Sequence, residues 1–120
     1  MFSRLIFVLL AFTLVITSKA AEAAVKTMEV SWYGAQFQGN KMANGRIFNK
    51  NNPTIAAHKT LPFGTKIRLE NPRTGQALIV VVSDRGPFVK GRDLDISEAA
   101  ARRLGILQQG VGLLRSTIIT

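Results

Sequence analysis

The acids of this sequence are few enough to be taken one at a time. The chain carries seven Asp and Glu in all, and downstream of Ala23 they are Glu29, Glu70, Asp84, Asp93, Asp95 and Glu98. Proton transfer to or from a reacting group needs a carboxyl that is not already committed to the scaffold. Glu29 and Glu70 fall in or beside stretches that read as ordinary strands, and Glu98 suits the positive end of a helix that starts there. Asp84 and Asp95 remain. The loop between them contains Gly86, Pro87, Lys90 and Gly91 and is long enough to return the chain to the same side of a small barrel, so both carboxylates can share one cleft. His58 is the only histidine.

Each of these groups also has a plain structural use. An Asp before Arg85-Gly86-Pro87 commonly bonds to turn backbone or pairs with a neighbouring Arg. His58 follows the apolar Ile55-Ala56-Ala57 and can be a neutral, hydrogen-bonded core imidazole. Asp95 stands two residues before a helix cap and can orient backbone donors there. Asp93 alternates onto the same face as Asp95, but two carboxylates without His or Cys neighbours make a weak metal argument, so no metal site and no cofactor is expected. Trp32, Tyr33, Phe48 and Phe88 can stack on a ligand's ring or fill the core.

The elements that must position these side chains are short. Met28 to Tyr33, Thr54 to Ala57, Lys66 to Glu70, Ala77 to Ser83 and Leu113 to Ile119 read as strands, dense in β-branched residues. Turn signals separate them, among them Asn44-Gly45, Pro62-Phe63-Gly64 and Asn71-Pro72-Arg73-Thr74-Gly75. Many short strands with frequent turns indicate an all-β barrel or sandwich. One helix stands out, with Ser97 as its cap, Glu98 in its first turn, helix formers from Ala99 to Leu104 and Gly105 to close it.

A length of 120 residues points to one domain, and the absence of Cys excludes a disulfide scaffold, a thiolate zinc site and a Cys nucleophile. Sixteen Lys and Arg give a formal charge of +9, a balance that raises nucleic acid, acidic membrane or anionic polymer as partners. The N-terminus decides among them. Arg4 precedes an uncharged, mostly apolar run from Leu5 to Thr17, short of the ~20 residues that span a bilayer. Small residues at Ser18-Lys19-Ala20 and Ala21-Glu22-Ala23 then favour a signal peptide over residues 1–23, cleaved after Ala23, with a single domain over 24–120. Losing Arg4, Lys19 and Glu22 takes the charge from +9 to +8. A basic exported protein meets wall polymers rather than nucleic acid, and without Cys there is no lipid-attachment site, so no stable membrane anchor is expected.

The runs Ala56-Ala57-His58-Lys59-Thr60-Leu61-Pro62-Phe63-Gly64-Thr65 and Ser83-Asp84-Arg85-Gly86-Pro87-Phe88-Val89-Lys90-Gly91-Arg92 are too long for chance. With Leu94-Asp95-Ile96-Ser97 and Ser31-Trp32-Tyr33-Gly34, the chain resembles the rare lipoprotein A family. The resemblance implies a closed, six-stranded double-psi β-barrel, and a monomer is expected. It further implies endolytic transglycosylation of peptidoglycan, with a preference for glycan strands lacking stem peptides and with periplasmic or cell-wall location. Many members add a C-terminal glycan-binding repeat domain, which is not expected here, where the sequence stops at Thr120.

Lytic transglycosylases cut between N-acetylmuramic acid and N-acetylglucosamine by protonating the leaving oxygen while the muramyl C6 hydroxyl attacks its own anomeric carbon. One carboxyl that is first acid and then base suffices, whereas a hydrolase normally needs two. The resemblance places His58 at a functional position, beside Asp84 and Asp95. A second family of double-psi lytic transglycosylases carries a similar Asp, Lys-Gly, Asp arrangement, which favours Asp95 as the acid. Arg46, Trp32, Tyr33, Phe48, Arg85, Phe88 and Lys90 are the substrate-binding candidates. One departure stands out: relatives read Gly-Glu where this chain has Gly45-Arg46, and often Asp where it has Asn49. Arg46 adds a cation able to hold a muramyl lactyl carboxylate. It also favours an alternative reading, a non-catalytic, expansin-like module that binds or loosens the wall; a third reading is an envelope protein that uses the barrel as a platform for a partner.

Overall fold

The computed structural model describes residues 24–119, and the expected leader over residues 1–23 lies outside them. The strands are Val25–Tyr33 (β1), Ile55–Ala57 (β2), Lys66–Glu70 (β3), Ala77–Asp84 (β4), Leu94–Ser97 (β5) and Val111–Ile119 (β6), and Glu98–Arg103 is a helix, α1. They close into a barrel in the order β1-β5-β2-β4-β3-β6. The β1–β5 and β2–β4 pairs are parallel and the other four antiparallel. This is the six-stranded double-psi β-barrel that the sequence implies.

Side-chain alternation decides what each strand contributes. In β3 Ile67 and Leu69 are fully buried while Lys66 and Arg68 stay in solvent, and in β4 Val80 and Val82 enter the same core. The C-terminal end of β1 and the whole of β2 are instead covered on both faces. Val30, Leu94, Ile96 and Ala56 point into the barrel. Tyr33, Ile55 and Ala57 point outward and are roofed by Met42 and Phe48 from the segment between β1 and β2, forming a second, smaller core. Double coverage explains why β2 is a run of three buried apolar residues, where a half-buried strand would alternate.

The roof is held by its own ladder. Gly39 N–H donates to the Phe48 carbonyl, Phe48 N–H to that of Asn40, and Met42 N–H to that of Arg46. Gly45 closes the turn at φ 88°, a left-handed conformation that a side chain would strain. Phe48 stacks on Tyr33 with ring centroids 4.5 Å apart, and Phe37 meets the same ring edge-on at 5.6 Å.

The strand over Leu94–Ser97 is not among those expected from sequence. Its four residues are too few to show a period, and Asp95 interrupts the apolar pair Leu94 and Ile96. The parallel ladder to β1 and the antiparallel ladder to β2 supply the pairing that propensity does not. Helix α1 follows as expected, with the Ser97 hydroxyl accepting the Ala100 N–H at 3.2 Å and donating to the Asn52 carbonyl at 2.5 Å. Ala100 and Ala101 face the core, and losing such a cap costs about 1 kcal/mol. Among the described residues no helix is long and apolar enough to cross a membrane.

Candidate active site

The register of β2 places the two candidate acids. Ala57 pairs with Asp84 on one side and with Asp95 on the other. At a strand spacing of about 4.8 Å, their Cα atoms stand roughly 10 Å apart with a methyl side chain between them. His58 follows Ala57, and its backbone N–H donates to the Asp84 carbonyl at 3.1 Å. The backbones of Asp84, Asp95 and His58 therefore lie on adjacent strand ends, while the charges that act on the His58 ring are those of Arg85, Asp93 and Lys59.

Asp95 is half-buried on β5 and accepts the hydroxyl of Ser31, its neighbour in the parallel register of β1. Burial pushes its pKa above the ordinary carboxylate value, and the charge of Asp84 adds to this, against the opposing Ser31 hydrogen bond and Arg92 guanidinium. A carboxyl so placed holds a proton more readily than a free one, which suits a general acid.

Asp84 is anchored differently. Its Oδ1 accepts the backbone N–H groups of Ala43 and Arg85, each at 2.8 Å, and its Oδ2 accepts the Tyr33 hydroxyl at 3.4 Å. The Ala43 bond ties the carboxylate to the roof hairpin. Tyr33 is held neutral by burial first and then by the charges of Asp84 and Asp95, which push its pKa up. Its hydroxyl is thus a permanent donor.

His58 turns its Nδ1 toward two backbone donors, Thr60 N–H at 3.1 Å and Leu61 N–H at 3.0 Å. A nitrogen that accepts cannot carry the proton, so the neutral ring is protonated at Nε2. Burial and the nearby Arg85 cation lower its pKa, Asp93 acting against them and Lys59 with them. The imidazole is therefore both a satisfied ring and a fixed Nε2–H donor.

Arg85 does not pair with Asp84. Its Nη1 donates to the carbonyls of His58, at 3.0 Å, and Leu61, at 2.8 Å, and its guanidinium lies 4.1 Å above the Phe63 ring. It clamps the turn that orients His58. Asp93 is likewise structural, its Oδ2 accepting the Glu29 N–H at 2.8 Å.

The aromatic candidates divide. Phe48 is 1% exposed beneath the Tyr33 ring, and Trp32 packs against the main core with its indole N–H on the Leu107 carbonyl at 3.1 Å. Both serve the scaffold, because the small-domain core claims most large rings. Phe88 is 83% exposed on the loop after Arg85, with Lys90 exposed two residues on. Phe63 and Phe37, not considered from sequence, are also partly open. Arg46 does not join the carboxylates around Ala57. It lines a neighbouring cleft of about 740 Å³ with Asn44, Asn52, Thr54, Val81 and Ser83, from whose lining Asp84, Asp95 and His58 are absent.

Sequence reasoning missed Ser31 as part of the site. The signal was present in the alternation of β1, which sends Ser31 and Tyr33 to one face, but nothing local said that this face meets Asp95.

The family model described as lytic transglycolase matches residues 25–115. A Synechocystis protein named probable endolytic peptidoglycan transglycosylase RlpA is 47% identical over 102 residues, covering 82% of this chain and 32% of its own. The Pasteurella multocida protein named endolytic peptidoglycan transglycosylase RlpA is 46% identical over 103 residues, 86% of this chain and 35% of its own. The chain thus spans about a third of the length of the curated relatives it matches. Among solved structures, the Streptomyces papain inhibitor aligns with a TM-score of 0.65 at 20% identity, covering 81% of this chain and 96% of its own. The Clavibacter michiganensis expansin aligns at 0.62 and 21%, covering 81% and 51%. These two likenesses concern the barrel.

Proposed function

The chain belongs to the lytic transglycolase family, and on that premise we propose that its barrel cleaves the bond between N-acetylmuramic acid and N-acetylglucosamine within peptidoglycan strands, leaving 1,6-anhydromuramyl ends. The observation that supports the reading is the pairing of Ala57 with both Asp84 and Asp95, which sets a proton-holding carboxyl on the strand next but one to a second carboxylate.

Protonated Asp95 gives its proton to the glycosidic oxygen as that oxygen leaves the muramyl anomeric carbon. The muramyl C6 oxygen bonds to the same carbon, and its proton passes to Asp95, which restores the acid. Asp84 faces the positive charge that builds on the sugar, and the His58 Nε2–H donates to a substrate oxygen. Phe88 and Lys90, exposed on the loop after Arg85, are the side chains free to contact neighbouring sugars. The preferred substrate is a strand without stem peptides, and the protein acts as an exported monomer in the periplasm or wall, its leader over residues 1–23 removed.

The test is mass spectrometry of naked and peptide-bearing glycan strands after incubation with the purified protein. Anhydromuramyl ends are expected, more from naked strands, and none from Asp95→Asn. Reducing ends, or uncut strands, overturn the reading. Arg46 in place of the relatives' Glu favours a second reading, a wall-binding module without turnover, which uncut strands combined with retention on sacculi would establish.

A further inference from the structure

The cleft beside the site has a chemistry of its own. Its lining includes apolar Met42, Ile55 and Val81 and polar Asn44, Arg46 and Asn52, and no acid. The two amides are oriented by the backbone. Asn44 Oδ1 accepts the Arg46 N–H, and Asn52 Oδ1 accepts both the N–H and the hydroxyl of Thr54, each at 3.0 Å or less. With both oxygens engaged, each side-chain NH2 is left as a donor. Neither these groups nor the Arg46 guanidinium has a hydrogen-bond or ion-pair partner among the described residues. Donors and one cation thus collect on an apolar surface, with no carboxylate among the lining residues to pair with a ligand's ammonium group.

We infer that this cleft is a subsite for a carboxylate-bearing sugar, in which Arg46 pairs with the free lactyl carboxylate of an N-acetylmuramic acid residue and the Asn44 and Asn52 amides donate to its hydroxyl and acetamido oxygens. The inference rests on the peptidoglycan reading for the identity of the sugar and deepens it, since a stem peptide would convert this carboxylate to an amide. A guanidinium matches a carboxylate in a planar, two-point geometry that a neutral amide cannot offer. The subsite is also joined to the catalytic groups. The hairpin that carries Asn44 and Arg46 donates the Ala43 N–H to Asp84 and the Asn44 N–H to the Ser83 carbonyl, so a sugar held there fixes the strap on which Asp84 hangs.

The experiment is an NMR titration of the isotope-labelled protein with N-acetylmuramic acid, its methyl ester, N-acetylglucosamine and a short acidic peptide, with turnover on naked strands assayed separately. The acid is expected to bind at least about tenfold more tightly than its ester, the scale of one charge-assisted pair, and to shift the amides of Asn44, Arg46 and Asn52. Arg46→Gln should bind acid and ester alike, and Arg46→Lys should keep part of the preference. Equal binding of acid and ester by the wild type overturns the inference, as does a preference that survives in Arg46→Gln, shifts confined to other residues, or stronger binding of the peptide. Selective binding without turnover would sink the catalytic reading and leave the subsite standing. Turnover without selectivity would do the reverse.

Discussion

Asp84 and Asp95 are held apart by a single residue, Ala57, whose strand pairs with both of theirs. The arrangement makes each carboxylate part of the other's environment. The charge of Asp84 is one of the causes that raise the pKa of Asp95, while Ser31 and Arg92 oppose it.

Replacing Asp84 by Asn removes that charge, and the Asn oxygen can still accept the Ala43 and Arg85 N–H groups. Asp95 then loses its proton at lower pH, so the alkaline limb of the kcat/KM profile moves toward acid. Turnover at the optimum falls by about a hundredfold as well, the scale of a lost electrostatic or acid–base partner. A limb that stays in place, measured on naked strands across pH 4 to 8, shows that the two carboxylates act independently.

Ser31 works in the opposite sense. Its hydroxyl donates to Asp95 and stabilises the ionised form, so Ser31→Ala moves the same limb toward alkali and Ser31→Thr, which keeps a hydroxyl, restores it. A uniform drop in rate with an unshifted limb would make Ser31 a packing residue only.

How much of this was legible in the sequence follows from the range of each interaction. Ile67 and Leu69 alternate with charged neighbours, so β3 could be read from five residues, and the Ser97 cap and Ala-rich turn gave the helix. Asp84 and Asp95 emerged because so few acids exist, yet their separation depends on Ala57, a residue without functional chemistry that matters through register. β5 was hidden because its pairing partners are 38 or more residues away in the chain. Phe48 and Trp32 were open to two uses, and only the roof and the Leu107 carbonyl decide them. Arg85 was expected at substrate, since nothing local shows that a turn 24 residues earlier presents two carbonyls to it.

The roof over β1 and β2 depends on Phe48, which is stacked on Tyr33 and buried against Met42, Ile55 and Ala57. Phe48→Ala should cost about 3–5 kcal/mol by lost burial and the cavity left behind. It should also loosen the hairpin that donates to Asp84. Denaturant unfolding measures the first effect, and hydrogen exchange at the Ala43 amide the second. A stability loss with Ala43 still protected shows that the roof and the carboxylate are uncoupled.

The His58 environment makes a prediction about stability that does not involve turnover. In the folded protein, Nδ1 accepts the Thr60 and Leu61 N–H groups, and a proton there breaks both bonds. Burial disfavours the imidazolium, as do Arg85 and Lys59, and Asp93 only partly offsets them, so the folded pKa lies below the ordinary His value. The unfolded chain therefore takes up this proton first. The stabilisation from the neutral ring is complete above about pH 6.5 and is lost as pH falls through the lower, folded value. His58→Gln cannot titrate. Between pH 7.5 and pH 5, wild type should lose more stability in denaturant melts than this variant, other groups being common to both. Equal losses would mean that the ring is as easily protonated folded as unfolded, and that the two backbone donors do not fix its tautomer.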